Sequence, residues 1–312
     1  MRKLIAAAAV LAVSSLCAAE EVKFGDVNYF LKAGQFNLLA DWSQNTNIYT
    51  INNKYIDRDY IIAGRAGYGL TDRLNFYVGV DYDFNSKVED KTATPKPRSY
   101  SHNGFSNPLV SANYRLLTQN EWRYNLDFGA VAKVNVQDAE IGQHVGATSN
   151  DGNYANGRSS LELNSRIGRK WNEANEWQFA AGVLMYQSGE AYLQKATEEK
   201  LSLDSSFDVF VRGTYQYRPV NEFMMLLSAQ ATEVGSADYK NKTTGVSYSN
   251  ESHLDFDFRF TAKYLITDNF IAKFNYGQAR YSDYTRTATG AADQDIEKRR
   301  NIFWGLGVDF LF

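Results

Sequence analysis

The sequence predicts an all-β fold: a transmembrane antiparallel β-barrel of twelve strands, with short periplasmic turns and long extracellular loops. Three observations carry that prediction. Apolar and polar residues alternate with a period of two along most of the chain, connections alternate between short and long, and the last alternating run ends on a terminal phenylalanine.

The 312 residues suffice for one large barrel. Charged residues make up 22% of the chain and the mean hydropathy is negative, which excludes a bundle of membrane helices. The longest apolar run, Leu4–Val13, falls short of the roughly 18–20 residues of a membrane helix. It follows Arg2 and Lys3 and precedes the small residues Ala18 and Ala19, so residues 1–19 read as a cleaved signal peptide with Glu20 first in the mature chain. A buried helix or a lipid anchor on Cys17 are the alternatives; Leu16 is bulkier than a lipobox accepts before its cysteine. Cleavage removes the single cysteine and with it any thiol chemistry. It also removes two of 33 basic residues, leaving 31 against 36 acidic ones, a balance that does not favour nucleic acid.

Residues 20–28 read as a short periplasmic segment, too small for a plug domain but able to fold into the lumen. Residues 29–312 read as the barrel. Strands are predicted at 29–43, 58–70, 73–85, 106–117, 122–137, 157–171, 176–188, 202–218, 222–233, 252–265, 270–282 and 300–312. In the third, Leu74, Phe76, Val78, Val80, Tyr82 and Phe84 share one face, and Arg73, Asn75, Asp81 and Asp83 share the other. The first strand fits least well, because Lys32 falls on its apolar face. Turns such as Thr71-Asp72 and Pro219–Asn221 are short, whereas stretches near 44–57, 86–105, 138–156, 189–201, 234–251 and 283–299 are long and polar. An even strand number returns both termini to the periplasmic side.

A soluble sandwich would also alternate. Strands of this length exceed the usual soluble length of about 5–6 residues and match the 9–11 that span a bilayer. Aromatic residues gather at the strand ends beside the short turns, among them Tyr68, Trp122, Tyr124, Trp171, Trp177 and Tyr264, as an interfacial girdle requires. In the tail, Ile302, Trp304, Leu306, Val308, Phe310 and Phe312 alternate to the C-terminus. That run resembles the terminal signature of outer-membrane proteins. The resemblance implies Trp304, Phe310 and Phe312 as an assembly signal, with the barrel assembly machinery and periplasmic chaperones as partners during biogenesis and outer-membrane lipid thereafter.

The hairpin Gly67-Tyr68-Gly69-Leu70-Thr71-Asp72-Arg73-Leu74, then Gly104-Phe105-Ser106-Asn107-Pro108 and Tyr114-Arg115-Leu116, resembles the family of outer-membrane transporters named after the MetA protein of phenol-degradation pathways. The likeness spans residues 60–190. That family has G-x-G-D where this chain has Gly104-Phe105-Ser106-Asn107, and the Thr-Asp turn recurs at Thr267-Asp268. The resemblance implies passage of small molecules.

If the apolar face meets lipid, the polar face lines a lumen, and its charges sort by height. Asp59, Asp81, Asp83, Asp204, Asp208, Asp255 and Asp257 lie toward the long loops. Arg73, Arg115, Arg123, Arg166, Lys170, Arg218, Lys263 and Lys273 lie toward the short turns, with Arg158, Glu222 and Asp309 as exceptions. Two readings follow. The charges form a pathway for small polar or charged solutes, an acidic vestibule over a basic zone, or they pair across the lumen and close a structural or adhesion barrel. His253 beside Asp255 and Asp257 at the rim leaves a third reading, hydrolysis by an activated water. No motif supports that chemistry, so the chain is expected not to be an enzyme. No cofactor or metal set is expected, although rim aspartates suit a hard cation.

Overall fold

A strand crossing lipid must pair every backbone N–H and C=O with a neighbour, so a sheet there must close on itself. The computed structural model describes residues 21–51, 53–90, 98–136, 139–140, 157–194, 199–290 and 292–312. In it, twelve antiparallel strands close into one barrel. They are β1 (Phe36–Ile51), β2 (Asn53–Thr71), β3 (Leu74–Asp90), β4 in two pieces (Arg98–Phe105 and Leu109–Leu117), β5 (Asn125–Lys133) and β6 (Ser160–Asn172). There follow β7 (Asn175–Tyr186), β8 (Ser206–Val220), β9 (Phe223–Val234), β10 (His253–Thr267), β11 (Phe270–Tyr281) and β12 (Gln294–Leu311). The signal-peptide reading falls outside the described residues.

Closure is made by β1 on β12, in register from Asn37 opposite Leu311 to Ile48 opposite Arg300. Phe36 N–H donates to Phe312 O at 2.9 Å, and Phe312 N–H donates back to Phe36 O at 2.7 Å. Alternation then sets the faces. Leu38, Ile62, Val78, Leu163, Val211, Leu227 and Leu306 are exposed on the outside, where only lipid can satisfy them. Beside the short turns Trp177 meets Tyr124, Trp171 and Phe179, and Phe270 stacks on Phe310 with centroids 4.4 Å apart; farther along the wall Trp304 meets Trp42 edge-on. Trp304, Phe310 and Phe312 therefore belong to the outer face of the seam.

Three sequence expectations are corrected. The first strand begins at Phe36, not at residue 29, and the residues before it do not join the wall. The predicted loop 44–57 is mostly strand. Ser43 to Ile51 pairs with Asn53 to Ile61, which lengthens this hairpin beyond the predicted strands. The strand predicted at 122–137 is shorter, β5 alone. Before it, Gln119–Trp122 forms a helical turn, α1, ended by Arg123 in the left-handed region at φ 70°. Several long connections also carry short strands: Gly189–Gln194, Glu199–Leu203, Ala237–Asn241, Ser247–Asn250 and Tyr284–Ala288. These pair side by side and raise the wall above β7–β12.

Candidate functional site

The lumen is where the polar face converges, and its lower end is filled by residues 21–35. This segment does not join the wall, but it carries backbone amides and a few side chains that match it. Lys23 O accepts from Asp26 N–H at 3.0 Å, and Asp26 O accepts from Tyr29 N–H at 3.1 Å, which folds the segment into tight turns. Gly25 sits at φ +92°, a region that L side chains rarely adopt. A Cβ there would lie 2.8 Å from Ile271 Cδ1.

Asp26 is the central anchor, its side chain fully buried. Its Oδ2 accepts from Lys170 Nζ at 2.9 Å, and its Oδ1 accepts from Arg218 Nη2 at 2.5 Å and Gln216 Nε2 at 3.0 Å. Glu176 supplies the opposite arrangement. Its two oxygens accept the N–H groups of Val27 at 2.9 Å and Asn28 at 3.0 Å. Asn28 donates to Trp177 O at 3.0 Å, and Gln178 donates to Asn28 Oδ1 at 3.1 Å. Arg115, paired with Asp127 at 2.7 Å, donates to Asn28 O at 2.9 Å and covers the Phe30 ring. Lys263 donates to Gly25 O and Lys170 to Glu21 O, each at 2.8 Å. Charged wall groups meeting a segment's backbone and one carboxylate in a buried space are the strong kind of hydrogen bond.

Apolar contacts seal the same place. Met224, Leu226 and Ile271 point inward, against the otherwise polar lining, and pack on Phe24 and Val27. Tyr29 donates to Gln35 Oε1 at 2.7 Å and meets Phe24 edge-on. Burial raises the Tyr29 hydroxyl above the ordinary phenol range, with the Gln35 hydrogen bond opposing the shift. Where the segment leaves the lumen, Gly34 N–H donates to Gly69 O at 2.8 Å and Gly69 N–H donates to Gln35 O at 2.9 Å. A Cβ on Gly69 would lie 2.0 Å from Lys32 O and 3.1 Å from Leu31 O, so only glycine fits beneath the segment here.

Gly69→Val is therefore a selective lever. Valine suits a strand, and the atoms nearest the new Cβ belong to residues 31–32 rather than to the wall. Overpacking of about 1–3 kcal/mol is expected to loosen the segment while the barrel keeps its fold. Limited proteolysis within residues 21–35, alongside an unchanged heat-modifiable gel shift, checks it.

The predicted basic residues therefore divide. Arg115, Lys170, Arg218 and Lys263 hold the segment. Lys273 bridges Asp41 at 3.0 Å and Asp309 at 2.7 Å just above it. Arg166 faces the lumen and donates to Asn113 Oδ1 at 2.5 Å. Arg73 pairs with Glu121 at 3.0 Å beside the periplasmic turn, and Arg123 caps α1 on the exposed surface; neither lines the lumen.

Above the segment lies a cavity of about 630 Å³ lined by Asp41, Asp81, Asp257, Arg65, Arg259 and Lys273, with Asn, Ser and Thr between them. Asp257 pairs with Arg259 at 2.7 Å and Asp81 faces Arg65 at 3.7 Å, so positive and negative groups alternate around it. Asp59 and Asp83 are buried on the same face higher up. Asp208 accepts from Gly235 N–H at 3.1 Å. Asp204 is exposed, outside β8 and off the lumen wall.

At the rim, Asp255 lies 3.6 Å from His253, but no hydrolytic dyad forms. Arg299 Nη1 lies 2.9 Å from His253 Nε2, and Glu251 O lies 3.2 Å from Nδ1. A guanidinium can only donate, which leaves Nε2 accepting, the proton on Nδ1, and no lone pair for a water. The ring is also stacked on Tyr284, centroids 4.5 Å apart. Among the described residues, no group of three or more His, Cys, Asp or Glu side chains could hold a metal ion. Sequence reading placed Arg158 high in the lumen but missed Arg286 and Arg299. Arg158 lies over Tyr186, Arg286 over Tyr239, and Arg299 over both Tyr281 and Tyr284.

A closed twelve-strand antiparallel barrel with an apolar outer band is the fold of outer-membrane β-barrels. An outer membrane channel from Pseudomonas putida F1 is similar over 94% of this chain and 100% of its own, with a TM-score of 0.60 at 14% sequence identity. The translocator domain of the autotransporter NalP from Neisseria meningitidis is similar over 99% of this chain and 97% of its own, with a TM-score of 0.50 at 10% identity. No protein-family model and no curated protein matches the chain.

Proposed function

We propose that the protein is an integral channel of the Gram-negative outer membrane, passing small polar or charged solutes, and that residues 21–35 stopper its periplasmic end. One observation carries this reading: the lumen above the segment holds a cavity of about 630 Å³ whose lining mixes charged and amide side chains, Asp41, Asp81, Asp257, Arg65, Arg259, Lys273, Asn275 and Asn301, with Ile61, Ala63, Ala279 and Phe303. A barrel built only as a scaffold would fill that space. The lower closure is made by a separate segment that is attached to the wall mainly through polar contacts, a kind of closure that can be undone without unfolding the barrel. The likeness of the Gly67–Leu74 hairpin to the MetA-pathway transporters points the same way, as does the similarity to an outer membrane channel. The alternative, a permanently closed adhesion barrel, has in its favour the ion pairs that fill the lower lumen, Asp26 with Lys170 and Arg218 and Lys273 with Asp41 and Asp309.

Planar-bilayer recording of the purified protein tests the proposal. Brief openings of one conductance class are expected from the full-length chain. Silence from both the full-length chain and a chain lacking residues 21–35 would overturn it.

A further inference from the structure

The extracellular mouth is where the sequence placed an acidic vestibule, yet its cavities are dominated by arginine and tyrosine. Two cavities of about 550 and 480 Å³ lie inside the raised rim, sizes suited to a small molecule. Arg286 lines both. Arg158, Tyr239 and Tyr248 line the first, and Tyr281, Tyr284 and Arg299 line the second.

The guanidinium groups are braced on aromatic faces. Arg286 lies 5.4 Å from the centroid of Tyr239, itself stacked on Tyr248 at 5.0 Å. Arg299 lies 4.7 Å from Tyr281 and 5.0 Å from Tyr284, and Arg158 lies 4.6 Å from Tyr186. Stacking holds a guanidinium plane still while leaving its edges to donate. Arg286 uses its Nε–H on Asn250 Oδ1 at 3.0 Å, and Arg299 uses one Nη1 donor on His253. Neither forms an ion pair with a carboxylate among the described residues. Acidic groups share the site: Asp238 lines the first cavity and accepts from Ser249 Oγ, Asp57 lines the second, and Asp255 lies 3.6 Å from His253.

We propose that this antechamber binds small organic carboxylates, the carboxylate seated between Arg286 and Arg299 and the flat body laid on the tyrosine faces. Oriented guanidinium edges match a carboxylate bidentately, and Arg158, Arg286, Arg299 and Arg300 outnumber Asp57 and Asp238 in the cavity linings, which favours anions there. The inference rests on the channel reading for the direction of travel, but not for binding itself.

Calorimetric titration of the detergent-solubilised full-length protein with benzoate, and with its uncharged isostere benzamide, tests the binding. Benzoate is expected to bind and benzamide to bind at least tenfold more weakly. The double substitution Arg286→Gln, Arg299→Gln is expected to weaken benzoate at least tenfold while keeping the heat-modifiable gel shift of the folded barrel. No benzoate binding, equal affinity for both probes, or an unaffected double variant would each overturn the proposal. A second arm records reversal potential in a KCl gradient on the chain lacking residues 21–35. Anion preference that declines in the double variant supports the proposal, and cation preference counts against it. A non-conducting chain that still binds benzoate overturns the channel reading alone.

Discussion

Deleting residues 21–35 is expected to convert a mostly closed barrel into a steadily conducting one. The segment fills the lower lumen through Asp26, Val27 and Asn28, which contact wall residues of β6, β7 and β8, and through Phe24 and Val27, which pack on β9 and β11. With it gone, no other described element crosses the lumen at that height. The wall itself loses little: its ladder runs from β1 through β12 without the segment, and closure at Phe36 and Phe312 is untouched. Single-channel recording should therefore show long openings where the full-length chain shows brief ones. The deletion also exposes Met224, Leu226 and Ile271 to the lumen, so a modest fall in thermal stability should accompany the gain in current. A deletion variant whose openings are no longer than those of the full chain would mean that residues 21–35 are not the stopper.

The second large effect is expected from one carboxylate. Asp26→Ala leaves Lys170 and Arg218 converging on an empty space, both nearly fully buried. Removing one partner from a buried ion pair costs about 3–5 kcal/mol, and each 1.4 kcal/mol or so is a tenfold shift in population. The open fraction should rise by roughly two to three orders of magnitude by that conversion. Asp26→Asn keeps the shape and some of the hydrogen bonds, so it should fall between. Hydrogen exchange of the Val27 and Asn28 amides provides a readout independent of current, because both are protected by Glu176. If those amides stay protected in Asp26→Ala, the anchor has been misassigned.

The fold was largely legible because a barrel wall repeats a local rule. Alternation in Leu74–Phe84 or Ile302–Phe312 fixes which face meets lipid, and the short turns fix the register. The segment before the wall was not legible as a stopper. Phe30 shares the parity of Phe36, Leu38, Ala40 and Trp42 and so imitates the start of a strand, while Leu31 is buried by the wall rather than within it. Two signals did exist. Lys32 broke the apolar face of that imagined strand. Met224, Leu226 and Ile271 placed grease on the lumen parity, close to the turns, where a water-filled pore would have none. The basic zone was found by position, but its partner was not, because Asp26 lies 144 and 192 residues from Lys170 and Arg218. The mouth arginines Arg286 and Arg299 fell in a predicted loop, and a loop has no inner and outer side until it becomes a raised strand.

The seat of Asp26 also imposes an order in time. Its binding groups belong to β6 and β8, with β7, β9, β10 and β11 completing the seat, and none of these is in place until much of the wall has formed. Residues 21–35, which precede every strand of the wall in the chain, can thus settle only near the end. A barrel built this way would be unstoppered during its own assembly and would close behind itself once the last strands arrive.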